Sequence, residues 1–318
     1  MITNSKIAYG DKLGAQMSSF ANLFFLSKEN NQQIVFYNEL INFRRKILFL
    51  DVFKKNDNFK ILPYKSSISK KIANSYCRQF DKTKNWESEM NRIYNNLILT
   101  KIDRFFLEFI RRIHGDFKII DYLQNDVNCD SSLLRLDKNI NYDINNGFGT
   151  YQDWKKYEKE IVQIFDFKDK IIDSASKQLR SINSTKEKVS IHFRRTDYLV
   201  MASYCLKEDY YRKALSMFDN SKNLLFVFSD DIEWAKKQDI FLGYETYFVE
   251  GNDPSLDMCL MSLCDSNIIA NSSFSFWGAF LNKNIYKKVV CPINYVSIND
   301  STNSYLNSNY YPKEWIAI

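Results

Sequence analysis

Glycine and proline are scarce in this 318-residue chain, at 8 and 4, and histidine occurs only at His114 and His192. So few turn-forming residues argue against a turn-rich repeat or a many-stranded β-sandwich. The six cysteines (Cys77, Cys129, Cys205, Cys259, Cys264 and Cys291) include no C-x-x-C pair, and with two histidines they offer no zinc spacing. They read as reduced thiols of a cytoplasmic protein. No apolar run approaches the ~20 residues that span a bilayer, and charged residues come too early for a signal-peptide core. A secreted disulfide scaffold and a membrane-spanning chain are thereby disfavoured. The expected location is the cytoplasm, with at most a peripheral contact at the inner face of the plasma membrane.

What is present is a globular balance: 45% apolar and 26% charged residues, with 25 Phe and 20 Tyr. The length suits two domains. A net charge of +6 favours an anionic ligand or an acidic membrane surface. The charge is dispersed rather than gathered into a basic tract with interleaved aromatics, so nucleic acid is not the expected partner.

The periodicity predicts a βαβ opening: a strand at Ile7-Ala8-Tyr9, a loop from Gly10 to Ala15, a helix from Gln16 to Asn30 and a strand at Ile34–Tyr37. From about residue 56 to 146 the pattern is obscure, apart from a helix at Arg104–Arg112 and a short strand at Ile119-Ile120. His114 receives no role. Helices follow at Tyr151–Phe165 and Lys168–Ser181. The polar link Asn183-Ser184-Thr185 then sets the domain boundary, giving an N-terminal α/β domain at 1–182 and a C-terminal one at 183–318. The C-terminal tail is free to pack back on the first domain.

The second half repeats one unit. In Val189–Tyr198, Val189, Ile191 and Phe193 alternate with Ser190, His192 and Arg194, the period of a strand. Leu224–Phe228 is a continuous apolar run, as in a parallel strand covered on both faces. Further strands are read at Tyr247-Phe248-Val249, Ile268-Ile269-Ala270 and Val289-Val290. Leu256, Cys259, Leu260 and Leu263 form one buried helix face. The sheet is expected to be mostly parallel and doubly wound.

Three strands end in polar sets: His192/Arg194/Arg195, Ser229/Asp230/Asp231 and Asn271/Ser272/Ser273. Ligands of open α/β sheets bind at such carboxyl ends. Two arginines suit a diphosphate, because guanidinium donors match phosphate oxygens in pairs and keep their charge. A Ser-Ser turn opening a helix offers backbone N–H groups to the same phosphates. An aspartate can accept from the N–H edge of guanine. Taken singly, each set also reads blandly: arginines paired with local carboxylates such as Asp197, helix capping at Ser229-Asp230-Asp231, and a polar turn at Asn271-Ser272-Ser273.

These stretches resemble the family 11 glycosyltransferases, the α-1,2-fucosyltransferases. The hallmark H-x-R-R-x-D-Y is met by His192, Arg194, Arg195, Asp197 and Tyr198, and F-S-D-D by Phe228–Asp231. N-S-[ST]-F-S-W-W-G-A is similar to Asn271–Ala279, with Phe276 in place of one Trp. Weaker likenesses are G-Y-[FW]-Q at Gly149–Gln152 and P-x-x-W at Pro312–Trp315.

The resemblance implies a GT-B-like fold, two Rossmann-like domains with a cleft between them. It implies an inverting, metal-independent transfer of L-fucose from GDP-β-L-fucose to a galactose 2-hydroxyl, in the synthesis of bacterial surface polysaccharide. No cofactor or metal is expected. The partners are GDP-fucose and a galactose-terminated oligosaccharide or lipid-linked glycan. The carried-over donor residues are His192, Arg194, Ser229, Asp230, Asp231, Asn271, Ser272, Ser273 and Phe274. Arg194 would hold the β-phosphate with support from Arg195. Asp197 and Asp11 are the candidate bases, and Asp11, Gly14, Gln16 and Gln152 the acceptor-side candidates.

One departure stands out. The family's G-G-L-G-N-Q aligns with Asp11-Lys12-Leu13-Gly14-Ala15-Gln16, and Ala15 cannot replace the hydrogen bonds of the Asn. Other readings are therefore a silent GDP-sugar-binding protein and a transferase for another GDP-deoxyhexose.

Overall fold

A parallel strand flanked by helices must be apolar on both faces, and Leu224 to Phe228 are all buried. The structure, a computed structural model, describes residues 1–8, 11–41, 46–80, 97–121, 135–145, 149–200, 205–295 and 304–318.

The first sheet holds β1 (Ile2–Thr3), β2 (Ile34–Tyr37), β3 (Phe59–Leu62), β4 (Phe117–Asp121) and β5 (Asn141–Asn145), in the order β3-β2-β1-β5-β4. The second holds β6 (Glu187–Phe193), β7 (Asn223–Ser229), β8 (Glu245–Phe248), β9 (Ser266–Ile268), β10 (Val289–Cys291) and β11 (Ile316–Ala317), in the order β11-β10-β9-β6-β7-β8. All the strand pairs in both sheets are parallel. In each sheet the chain builds outward on one side of its first strand and then crosses to the other. That places a topological switch point beside β1 and another beside β6, where open α/β sheets leave a crevice.

The opening strand differs from the sequence expectation. Ile2–Thr3 pairs with β2 and β5, whereas Ile7 and Ala8 lie in a turn and Tyr9 is outside the described residues. The cause is Asn4, whose side chain accepts from the Lys6 N–H at 3.0 Å and whose carbonyl accepts from Ile7 N–H at 3.3 Å. Such an Asx turn ends the strand early. Ile7 and Ala8 are buried all the same, so their apolarity misled the reading. Strands β3, β5 and β11 and the Ser67–Phe80, Glu208–Leu215 and Ser304–Asn309 helices also went unread.

Aromatic packing joins the two sheets. Phe20, on the Leu13–Asn30 helix, contacts the rings of Phe36, Phe49, Phe59 and Phe165. Trp154 stacks on Trp277 at 5.5 Å, and the Trp277 Nε1–H donates to Ser18 Oγ at 3.0 Å. The Ser273–Phe280 helix therefore packs directly against the Leu13–Asn30 helix of the first sheet. Tyr310, Tyr311 and Trp315 gather around Phe276, and the chain ends as the edge strand β11.

Candidate active site

The tip of β6 carries the arginines. Arg194 Nη2 donates to Asp197 Oδ2 at 2.6 Å, and Nη1 lies 2.9 Å from Asp230 Oδ2. Burial alone would raise the Asp197 carboxyl. Its bond to Arg194, with Lys12 beyond, brings it below the usual carboxylate value instead. Arg195 is fixed differently: its Nε donates to Asp231 Oδ2 at 3.1 Å and its guanidinium lies over the Trp234 ring at 3.6 Å. Neither arginine needs to search for its geometry, because each is held by a carboxylate from the neighbouring tip of β7.

Asp230 accepts from three sources: the Arg195 backbone N–H at 2.8 Å, the Thr196 hydroxyl at 2.6 Å and Arg194. Asp231 caps the Ile232–Ala235 helix through Trp234 N–H at 3.3 Å, and its own N–H donates to Ser229 Oγ at 2.9 Å. Helix capping is present in this set, but on Asp231 rather than on Ser229 or Asp230, the residues expected from the sequence. It is carried by a residue that also orients an arginine.

His192 is buried behind the arginines. Burial, with Arg194 nearby, pushes its imidazole down to about 4 against a smaller opposing pull from Asp230, so the ring is neutral at pH 7. Its Nδ1 has no hydrogen-bond partner among the described residues, and its ring lies 5.7 Å from Phe274. A buried ring nitrogen without a partner calls for an explanation, and a bound ligand or an ordered water would supply one.

The third tip follows β9. Ser272 caps the Ser273–Phe280 helix, its Oγ accepting from Phe274 N–H at 3.3 Å. Asn271 is buried, with Nδ2 donating to the Tyr295 carbonyl at 3.2 Å, while its own carbonyl accepts from Tyr198 OH at 2.9 Å. Tyr198 thus ties the β6 tip to the β9 tip. Gly14 lies against the same helix start: a Cβ there would fall 2.6 Å from Phe274 N. The helix N-termini of the two domains meet at this point, and only a glycine permits the approach.

The acceptor-side candidates divide. Gln16 is fully buried and wholly engaged, its Nε2 donating to the Asp11 and Lys46 carbonyls at 3.0 and 2.9 Å and its Oε1 accepting from Leu48 N–H at 2.7 Å. It pins the loop that carries Asp11. Gln152 accepts from Lys155 at 2.7 Å on the Tyr151–Trp154 helix, and no described contact joins it to the strand tips.

Sequence reading missed two sets of residues. Asp257, on the Pro254–Leu263 helix after β8, accepts from Asn252 Nδ2 at 3.0 Å, and burial pushes its carboxyl up to about 6. The other set lies in the first domain. There Glu39, just past β2, pairs with His114 at 3.0 Å, and Asp143 of β5 accepts from Arg111 at 3.0 Å and from Ser5 N–H and Oγ at 2.9 and 2.7 Å. These pairs are buried and filled by protein donors, which makes them a structural network. The partners lie 75, 32 and 138 residues apart in sequence, so no local signal announced them. Among the described residues no group of three His, Cys, Asp or Glu side chains is placed to hold a metal ion. No described helix is long and apolar enough to cross a membrane.

Residues 140–318 match the model of glycosyl transferase family 11. The chain belongs to that family. It is 35% identical over 157 residues to an alpha-1,2-colitosyltransferase of Escherichia coli, covering 46% of this chain and 53% of that protein. It is 36% identical over 130 residues to the O-antigen biosynthesis glycosyltransferase WbnK of Escherichia coli, covering 37% of this chain and 42% of that protein. The chain thus spans about half the length of the curated relatives it matches. Its fold is similar to the crystal structure of POFUT1 in the apo form, with a TM-score of 0.52 at 12% identity over 91% of this chain and 96% of that one. As a family 11 member with two parallel α/β sheets, the chain has the GT-B-like architecture expected from its motifs.

Proposed function

We propose that this glycosyltransferase moves L-fucose from GDP-β-L-fucose to the 2-hydroxyl of a terminal β-galactoside, with inversion and without a divalent cation. The observation that carries the reading is the rigid pair Arg194–Arg195 at the switch point of the second sheet, each guanidinium held by carboxylates of the β6 and β7 tips. A preorganised cation costs no rearrangement when negative charge builds on a departing diphosphate, and it does there what a divalent metal does in other transferases.

Arg194 is the group assigned to the leaving β-phosphate, with the N-terminus of the Ser273–Phe280 helix beside it. Asp230 and Asp231 are spent on the arginines, so they are assigned to positioning rather than to the guanine edge. His192 Nδ1, a buried nitrogen with no partner among the described residues, is assigned to the nucleoside. Asp197, charged at neutral pH and bonded to Arg194, is a weak base at most. Gln16 and Gly14 shape the N-terminal loop, and the acceptor hydroxyl is expected to approach across it.

The test offers GDP-fucose to a panel of β-galactosides in the presence of EDTA and sequences the product linkage. An α-1,2-fucosyl product, lost on Arg194→Ala at saturating donor, is expected. Activity abolished by the chelator, or near-wild-type turnover without Arg194, would contradict the reading. The likeness to an alpha-1,2-colitosyltransferase supports a second reading with the same linkage and a different deoxyhexose. Preference for a GDP-colitose donor over GDP-fucose in the same assay would select it. GDP binding with no transfer to any galactoside would instead mark a silent binder.

A further inference from the structure

Lys12 stands where the G-G-L-G-N-Q pattern has a glycine, immediately before the Leu13–Asn30 helix. Its Nζ lies 3.7 Å from Asp197 Oδ2, the same oxygen that accepts from Arg194 Nη2 at 2.6 Å. One carboxylate oxygen is thus seated between a cation from each domain. The Asp197 side chain is 47% exposed and that of Lys12 44%, so this ion pair is open to solvent. Two helix N-termini converge alongside, since Gly14 abuts the Ser273–Phe274 backbone.

An anion held by opposed cations at converging helix starts occupies the geometry that a phosphate oxygen would take. Asp230 is fixed by three donors and 19% exposed, whereas Asp197, though only 2.6 Å from Arg194, is the more exposed of its two carboxylates at 47%. Exposed ion pairs contribute little stability, so the Lys12–Asp197 contact is easily exchanged for a ligand.

We propose that Asp197 holds the place of the donor β-phosphate until the donor binds, and that Lys12 is a phosphate-binding cation supplied by the first domain. On donor binding the phosphate displaces Asp197 and is gripped by Arg194 from one domain and Lys12 from the other. The ammonium is a compact point charge on a flexible stem, able to follow the phosphate where a fixed guanidinium cannot. Ala15, aligned with the Asn of that pattern, lies in the first turn of the helix that Lys12 precedes. This inference rests on the reading of a GDP-sugar donor at the arginine cluster.

The test is calorimetry of GDP and of GMP, in EDTA, on the wild type and on Lys12→Ala, Lys12→Arg and Asp197→Asn. Because Lys12 meets the second phosphate, Lys12→Ala should cut the preference for GDP over GMP about tenfold, and Lys12→Arg should keep most of it. Removing the competing charge by Asp197→Asn should tighten GDP several-fold, an effect that a purely structural ion pair does not produce. An unchanged GDP preference in Lys12→Ala, or weakening of GDP by Asp197→Asn, would overturn the proposal while leaving the donor assignment intact. A wild type that fails to prefer GDP over GMP would overturn the donor assignment itself, and this inference with it.

Discussion

Asp230 illustrates how one carboxylate can fix the geometry of a strand tip. Its two oxygens take the Arg195 N–H, the Thr196 hydroxyl and the Arg194 guanidinium, so a single carboxylate sets the bend of the β6 tip and the aim of its arginine. Misplacing a catalytic group by about 1 Å costs on the order of a hundredfold in rate. Asp230→Asn should therefore lower kcat for fucosyl transfer about a hundredfold while changing the GDP dissociation constant far less. Steady-state kinetics beside calorimetry would check this, and a near-wild-type kcat would contradict it. At this scale the sequence was informative about which residues gather, because His192, Arg194, Asp230 and Ser272 sit on short local patterns at strand tips. It was silent about which partners each would take. For Asp230 those partners follow from the neighbouring strand register, Phe193 opposite Ser229, which sets it beside the arginines.

Among the elements, the Leu13–Asn30 and Ser273–Phe280 helices decide the shape of the crevice. They touch at Gly14, where an added Cβ would lie 2.6 Å from Phe274 N and 2.7 Å from Ser273 C, both backbone atoms that cannot swing aside. Gly14→Ala must push the two helix starts apart. Overpacking of this kind costs about 1–3 kcal/mol, and it also moves the Ser272 cap away from the arginines. Thermal unfolding should show that loss together with weaker GDP binding, and an unaltered midpoint and affinity would contradict the packing described. The Leu13–Asn30 helix was legible from its apolar stripe and β7 from its unbroken apolar run. The strand before that helix was not, since Asn4 ends it by a turn whose consequence depends on β2 and β5 being in place. The network of Glu39 with His114 and of Asp143 with Arg111 escaped for the same reason: burial and pairing join residues from distant stretches.

Across the whole molecule, two parallel sheets each place a switch point beside their first strand. Packing of Trp154 on Trp277, and the bond from Trp277 to Ser18, hold the two halves together. The second sheet was largely readable because its tips carry their chemistry in contiguous motifs. The first was not, because its polar residues stabilise one another across the fold and resemble no local pattern. The proposed function requires permanent positive charge at the β6 tip, rather than a metal, to receive the nucleotide diphosphate. The decisive measurement is a crystal structure with GDP soaked in under EDTA. The diphosphate should lie within hydrogen-bond distance of Arg194, at the start of the Ser273–Phe280 helix, with no cation between its phosphates. GDP found away from those strand tips, or bound only when a divalent metal is restored, would contradict that assignment.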